Sequence, residues 1–337
     1  MNVTYDNSIG DSTTKEVIVE TGINNTVIFN SEGSSNVFFK PIGEKPKITF
    51  SNEKNQNATA GILVQGNKQT TVNINSPMIN LNIKGGGSLK LTTENNDVTQ
   101  FYIQNTTLHN ENLYLETDKE VTLDLLSLYQ CPQLDTKGNV KINTIKAQQG
   151  STASISNCKI EKEIQVALNA TVVLEENVDV SKPILNVSFA NNLNTNRPIF
   201  NFTNQKTPSP PTKIIFQEGM RNALLANENE ENVESKMIIT YGISNCKAWN
   251  KKVDLTGSIF SSSRCEKVDK NDLQQLVVSS NSAGKKKLGP GAIAGIVIAC
   301  VVVVAVIAGV TIHVVKKNSL SLGIESTINE DEDSIAI

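Results

Sequence analysis

The chain has 337 residues, a formal net charge of −3, 19% charged residues and only 5% aromatic ones. No basic footprint marks it for nucleic acid. The length admits one or two domains and is ample for burying a core.

The chain opens on MNVTYDNSIGDSTTKEV, which is polar and lacks the apolar h-region of a secretory leader. Strand periodicity follows. Val72 and Ile74 flank Asn73, Ile79, Leu81 and Ile83 alternate with Asn80 and Asn82, Leu89 and Leu91 flank Lys90, and Val140 and Ile142 flank Lys141. Other short apolar runs are VIVE at Val17, VIFN at Val27, VFF at Val37, ITF at Ile48, ILVQ at Ile62, FYIQ at Phe101, LYLE at Leu113, VTLDL at Val121, VVL at Val172 and ILNVS at Ile184. Turn clusters such as GEKP at Gly43, KGGG at Lys84 and ENND at Glu94 separate them, and no long amphipathic helix intervenes between Val17 and Phe202. Strands recurring about every ten residues between turns predict an all-β sandwich, barrel or solenoid.

Asparagine favours the solenoid. It tolerates the left-handed backbone of tight bends, and in stacked coils its amide pairs with the asparagine above. The expected fold is therefore a right-handed parallel β-helix over 1–204. The alternative is a tandem β-sandwich of immunoglobulin type. The clearest internal match is ISNCK, at Ile155–Lys159 and again at Ile243–Lys247. Four cysteines precede residue 282, Cys131, Cys158, Cys246 and Cys265, and permit three pairings. Cys131 and Cys158 are spaced by about one solenoid coil, which is compatible with a cross-coil bridge. Cys246 and Cys265 are close enough in sequence to be natural partners in an oxidising compartment.

Composition changes at QKTPSPPTK, Gln205–Lys213, a stiff Pro-rich segment. Beyond it KIIF, KMIITY and VDLTGSIF resume strand character around an acidic loop, NENEENVESK, Asn227–Lys236. Residues 205–281 are thus expected to be a separate, Pro-linked membrane-proximal β segment. A flexible stalk is expected over 282–291.

Ala292–Val315 contains no charged side chain and is flanked by Lys on both sides. At about 1.5 Å per residue it spans roughly 36 Å as a helix, enough for a hydrocarbon core of about 30 Å. It is read as a transmembrane helix over 292–315, and the membrane is the one partner the sequence names. Gly291, Gly295 and Ala299 share one face at the spacing of helix-dimer motifs, so homo-oligomerisation through this face is expected. Cys300 reads as packing and His313 as interfacial. The acidic tail, 316–337, lacks apolar periodicity and is expected to be disordered.

Topology signals conflict. The polar N-terminus and the Lys balance around the span favour a cytosolic N-terminal part. Seven N-x-[ST] acceptors, Asn2, Asn24, Asn57, Asn105, Asn169, Asn186 and Asn201, all precede the span and are the glycosylation candidates. The abundance of Asn, Ser and Thr generates about this many by chance.

Chemistry is sparse. Glu175 and Asp179, taken as lying on one strand, would stand roughly 13 Å apart, beyond the roughly 5–9.5 Å that a glycosidase carboxylate pair requires. Asp124 and Asp135 are solitary, and His109 has no neighbour suggesting a nucleophile or metal. There is no phosphate-binding loop and no zinc spacing. KGGGS at Lys84 precedes a strand, so it cannot be a P-loop. No catalytic, metal or cofactor site is expected.

GAIAGIVIACVVVVAVIAGV, Gly291–Val310, preceded by Gly-Pro-Gly and followed by Lys-Lys, resembles the anchor of large surface-protein families of parasitic trichomonad protists. Those families pair a repetitive, Asn- and Thr-rich β ectodomain with one C-terminal span and a short tail. One group is similar to the polymorphic membrane proteins, right-handed β-helices marked by GGA[ILV] and FxxN repeats. FxxN occurs here at Phe189–Asn192, and the sole GAI lies in the anchor. The resemblance implies a non-catalytic surface protein at the plasma membrane, its N-terminal domain outside, in contact with glycans or cell-surface proteins of host or neighbouring cells. Two alternatives stand beside it: a tail-anchored scaffold whose β domain faces the cytosol, and a membrane-tethered glycan-processing enzyme.

Overall fold

Side chains that alternate in and out build the architecture seen in the computed structural model, which describes residues 2–5, 17–22, 24–29, 37–52, 57–148, 150–167, 170–175, 177–188, 198–202, 208–217, 232–258, 260–268 and 272–281. In the strand Glu120–Tyr129, Val121, Leu123, Leu126 and Leu128 are buried while Thr122, Asp124 and Ser127 are not. Except at the C-terminal end, strands do not pair with their neighbours in sequence. Gln100–His109 pairs in parallel with Ile79–Lys84 on one side and Glu120–Tyr129 on the other. Asn112–Thr117 pairs in parallel with Gly87–Thr92 and Gln133–Lys137. Successive strands thus go alternately to two sheets, a first of 13 strands and a second of 11 among the described residues. This is a parallel β-solenoid with one strand of each sheet per coil.

The core is a set of columns running through the stack. Leu81, Ile103, Leu123, Ile142 and Ile160 occupy successive coils at one position, each at most 1% exposed. Burying such a side chain is worth about 1.5–3 kcal/mol. A second column runs Ile83, Thr106, Leu126, Ile145 and Ile164. Thr106 interrupts it with a buried hydroxyl that has no hydrogen-bond partner. Phe29, Phe39 and Phe50 cluster toward the N-terminal end, with ring centroids 5.7 to 6.5 Å apart. In the second sheet the register shifts between Ile103 and Asn105 and again between Ile142 and Thr144. Two consecutive residues, Gln104 and Asn105, therefore leave the core before the alternation resumes.

Asparagine sits at the bends, as its left-handed tolerance predicts. Asn24, Asn110, Asn157 and Asn177 have φ between 56° and 61°. The expected amide stacking is present: Asn177 Nδ2 donates to Asn157 Oδ1 at 3.2 Å, from a position 20 residues along.

The C-terminal end of the solenoid departs from pure coiling. Asn232–Tyr241 joins the first sheet in parallel with Phe200–Asn201, but on its other edge it pairs antiparallel with Leu273–Asn281. Ser262–Lys267 then pairs antiparallel with Leu273–Asn281. Between these strands lies a helix, Ile243–Asn250, with Gly242 at its N-terminal boundary, φ 77°. Cys246 and Trp249, three residues apart and so on one face, are its buried residues. Trp249 packs on Phe202 at 4.4 Å and donates its indole N–H to Pro208 O at 3.4 Å.

Several sequence expectations change here. The tandem sandwich is excluded by the parallel ladders. No boundary falls at 204/205: Lys213–Gln217 continues the second sheet beside Ile184–Ser188, Pro208 and Pro211 are buried, and residues up to Asn281 form one compact unit. In the described part of the Pro-rich segment Pro208 O accepts from Trp249, which is why this part does not act as a linker. In VDLTGSIF only Val253–Asp254 is strand. The acidic loop is strand from Asn232 onward, because the antiparallel partner Leu273–Asn281 supplies the ladder. ISNCK is not a structural repeat. Its first copy ends a strand and turns at Asn157, φ 58°, whereas the second is helix.

The stalk 282–291, the span 292–315, the tail, Cys300, His313, the FxxN segment 189–192 and the face of Gly291, Gly295 and Ala299 lie outside the described residues. Among the described residues, no helix is long and apolar enough to cross a membrane.

Candidate functional site

One set of outward polar groups lies where the first sheet meets a column of bends. Tyr114 of Asn112–Thr117 is in register with Asp135 of Gln133–Lys137, and Asp135 with Ser156 of Thr152–Ser156. These positions alternate with the core residues Leu113, Leu115, Leu134 and Ile155, so they point outward. At the adjoining bends Gly138, Asn157 and Asn177 have φ of 121°, 58° and 61°. Gly138 has no substitute: a Cβ there would stand 2.5 Å from the backbone oxygen of Thr117. Together Tyr114, Asp135, Thr136, Lys137, Gly138, Asn157 and Asn177 line an open surface cleft of about 540 Å³.

Hydrogen bonds fix its polar groups. Asp135 Oδ1 accepts from Ser156 Oγ at 2.6 Å and from Asn157 Nδ2 at 2.8 Å. Asn157 Oδ1 accepts in turn from Asn177. Thr136 donates through Oγ1 to Asn157 O at 2.5 Å. At the rim Glu116 lies 3.2 Å from Lys90 and 3.7 Å from Lys137, and accepts from Gln69 at 3.3 Å. Beneath the bend Cys158 is 3% exposed. Burial, with a smaller contribution from the Asp135 charge, pushes its thiol up to about 12, so it is not a reactive nucleophile.

The acidic residues singled out from the sequence are dispersed. Glu175 follows the strand Thr171–Leu174 and accepts from Ser154 at 3.0 Å. Asp179 forms an isolated bridge with Lys159 and accepts from the Ser181 N–H at 2.9 Å. The two do not share a strand, because the chain bends at Asn177 between them. Asp124 accepts from Asn143 at 2.8 Å, with Lys162 at 3.9 Å. His109 is exposed and stacks on Tyr129 at 4.2 Å. Among the described residues no three His, Cys, Asp or Glu converge on a metal position.

Of the glycosylation candidates, Asn24, Asn57 and Asn105 are exposed. Asn2 lies in the strand Asn2–Tyr5 and Asn201 is half-buried in Phe200–Asn201. Asn186 is half-buried, donating to Glu163 at 2.9 Å with its Oδ1 inaccessible. Asn169 lies outside the described residues. Of the cysteines, Cys246 and Cys265 form a disulfide, with Cα atoms 6.0 Å apart. The cross-coil bridge does not form: Cys131 and Cys158 are both free. A coil takes only about 20 residues, as in Asn157 to Asn177. Cys131 therefore sits at the bend before Gln133–Lys137, and Cys158 at the bend after Thr152–Ser156, at opposite ends of these paired strands.

Ion pairs set a pH response. Lys90 holds the Glu116 carboxyl below its ordinary range, Lys141 does so for Glu120, the Ser181 backbone N–H for Asp179, and Lys213 for Asp254. A carboxyl depressed in the folded state adds stability above its unfolded pKa and loses it as pH falls through the folded value. Denaturation midpoints should therefore be flat from neutrality down to about pH 4.5, the ordinary value for Glu, and decline below it. Because these pairs are exposed, added salt should shrink the decline. Urea titrations at stepped pH test this.

No family model, no curated protein and no solved structure matches the chain.

Proposed function

We propose that the chain is a single-pass membrane protein that presents its β-solenoid outside the plasma membrane for contact or adhesion with host or neighbouring cells. The observation that carries this reading is the Cys246–Cys265 disulfide in the last coils. Disulfides persist in oxidising surroundings and are rare in the cytosol, so the bridge favours an external domain over a cytosolic scaffold. The span is the uncharged run Ala292–Val315, and the Gly291, Gly295 and Ala299 face pairs two such helices. The solenoid winds right-handedly, as parallel crossovers do in nearly all cases.

A presenting role suits this surface better than a reaction. Glycoside hydrolysis needs one carboxyl held protonated beside an ionised one. Glu116, Glu120, Asp179 and Asp254 are all driven the other way, toward the ionised form.

Protease shaving of intact cells tests the topology. The expected result is loss of the 1–281 domain from intact cells and survival of a short membrane-embedded remnant. Survival of the whole domain until the cells are permeabilised would give the cytosolic scaffold.

A further inference from the structure

From the cleft at Asp135 we infer a saccharide-binding subsite that takes a neutral, hydroxyl-rich glycan. It deepens the contact role proposed above and rests on it for where the glycan resides. Its chemistry rests on the cleft alone.

Other ligand classes fit poorly. A peptide adding as a strand needs an open ladder edge. Asn112–Thr117 and Gln133–Lys137 are each paired on both sides. A peptide anchored by an apolar side chain needs an apolar pocket, but the lining is polar apart from the Tyr114 ring. An anion would face Asp135, while Lys137 is already shared with Glu116. A calcium ion takes six to eight oxygens from several carboxylates, and Asp135 is the one carboxylate in the lining.

A sugar meets what remains. Both protein hydrogen bonds to Asp135 fall on Oδ1, leaving Oδ2 for ligand hydroxyls in charge-assisted bonds. Asn177, also in the lining, gives its Nδ2 to Asn157, which leaves its own amide oxygen as a second acceptor. Lys137, its charge offset by Glu116, still has N–H groups to donate, and the Tyr114 ring offers a surface for the C–H face of a pyranose. Because hydrogen bonds already tie Ser156 and Asn157 to Asp135, and Asn177 to Asn157, little side-chain freedom is lost on binding. Asp135 and Asn177 lie two coils apart, roughly 10 Å at the ordinary inter-strand spacing. That separation suits two linked sugars better than one.

The test uses the full chain in lipid nanodiscs, which avoids glycosidic detergents. Saturation-transfer NMR is run against glucose, galactose, mannose, N-acetylglucosamine and a disaccharide of each. The expected result is saturable binding of at least one sugar with Kd near about 1 mM, and about tenfold tighter binding of its disaccharide. Asp135→Asn, which keeps the Oδ1 acceptor and hence the ladder, should weaken binding about tenfold, as should Tyr114→Ala. Glu94→Gln, at a different bend, should leave it unchanged. Urea midpoints of all three variants check that the fold is intact. No saturable binding of any of these sugars by the wild type, or equal binding by Asp135→Asn and Tyr114→Ala, overturns the subsite. A domain shaved from intact cells yet silent toward every sugar removes the subsite and leaves the contact role standing. Sugar binding by a chain protected from shaving does the reverse.

Discussion

Reduction of the Cys246–Cys265 bridge, or the double replacement Cys246→Ala/Cys265→Ala, is expected to lower unfolding stability by about 2–4 kcal/mol, the range for closing a loop of this size. The bridge spans 19 residues and ties the helix Ile243–Asn250 to Ser262–Lys267, the outermost strand of the first sheet. That strand has a single ladder neighbour, Leu273–Asn281, among the described strands, and its own side chains are largely exposed or half-buried. Few apolar contacts hold it once the bridge opens. The chain contains one tryptophan, and it lies in this helix against Phe202. Trp249 fluorescence therefore reports the C-terminal end, while far-UV circular dichroism reports the whole stack. In a quasi-one-dimensional array the end can melt before the middle. With reductant present, the fluorescence transition should move to lower urea and separate from the dichroism transition. If both midpoints are unmoved by reductant, the bridge does not hold the end together.

The solenoid was legible wherever a strand supplies its own apolar alternation. Ile79–Lys84, Gln100–His109 and Glu120–Tyr129 all coincide with runs readable by eye. Gln133–Lys137 and Thr152–Ser156 are strands that such a reading misses. QLDTK has a single aliphatic side chain, and its extended state is imposed by parallel partners on both flanks. ISNCK makes the same point from the other side, since one pentapeptide takes two conformations according to what surrounds it.

The cleft was harder to see than the fold. Asp135 looks solitary in sequence, yet it bonds to Ser156 and Asn157 across one coil. The relevant neighbours are about 20 residues away, a separation fixed by coil length, which local pattern does not reveal. One signal was present. Gly138, Asn157 and Asn177, all residue types that accept positive φ, recur at about that interval. Read as a column, they mark the bend beside the cleft and give the coil length that rules out Cys131–Cys158.

Leu123→Ala tests whether the columns carry the stability. Leu123 is fully buried, with Ile103 above and Ile142 below it in register. Truncation leaves a cavity that rigid strands on both sides can close only in part, and the cost for Leu→Ala in such a place is about 2–5 kcal/mol. Each coil touches only its neighbours, so the loss should be local in the native state. Amide exchange should quicken in Gln100–His109, Glu120–Tyr129 and Val140–Ala147, while Asn232–Tyr241 and Leu273–Asn281 keep their protection. The Cys246–Cys265 bridge supports that result, because it holds the far end independently of the middle. Uniform loss of protection across the whole domain would mean that the stack melts as one cooperative unit. Stability would then belong to the entire solenoid, not to successive coils.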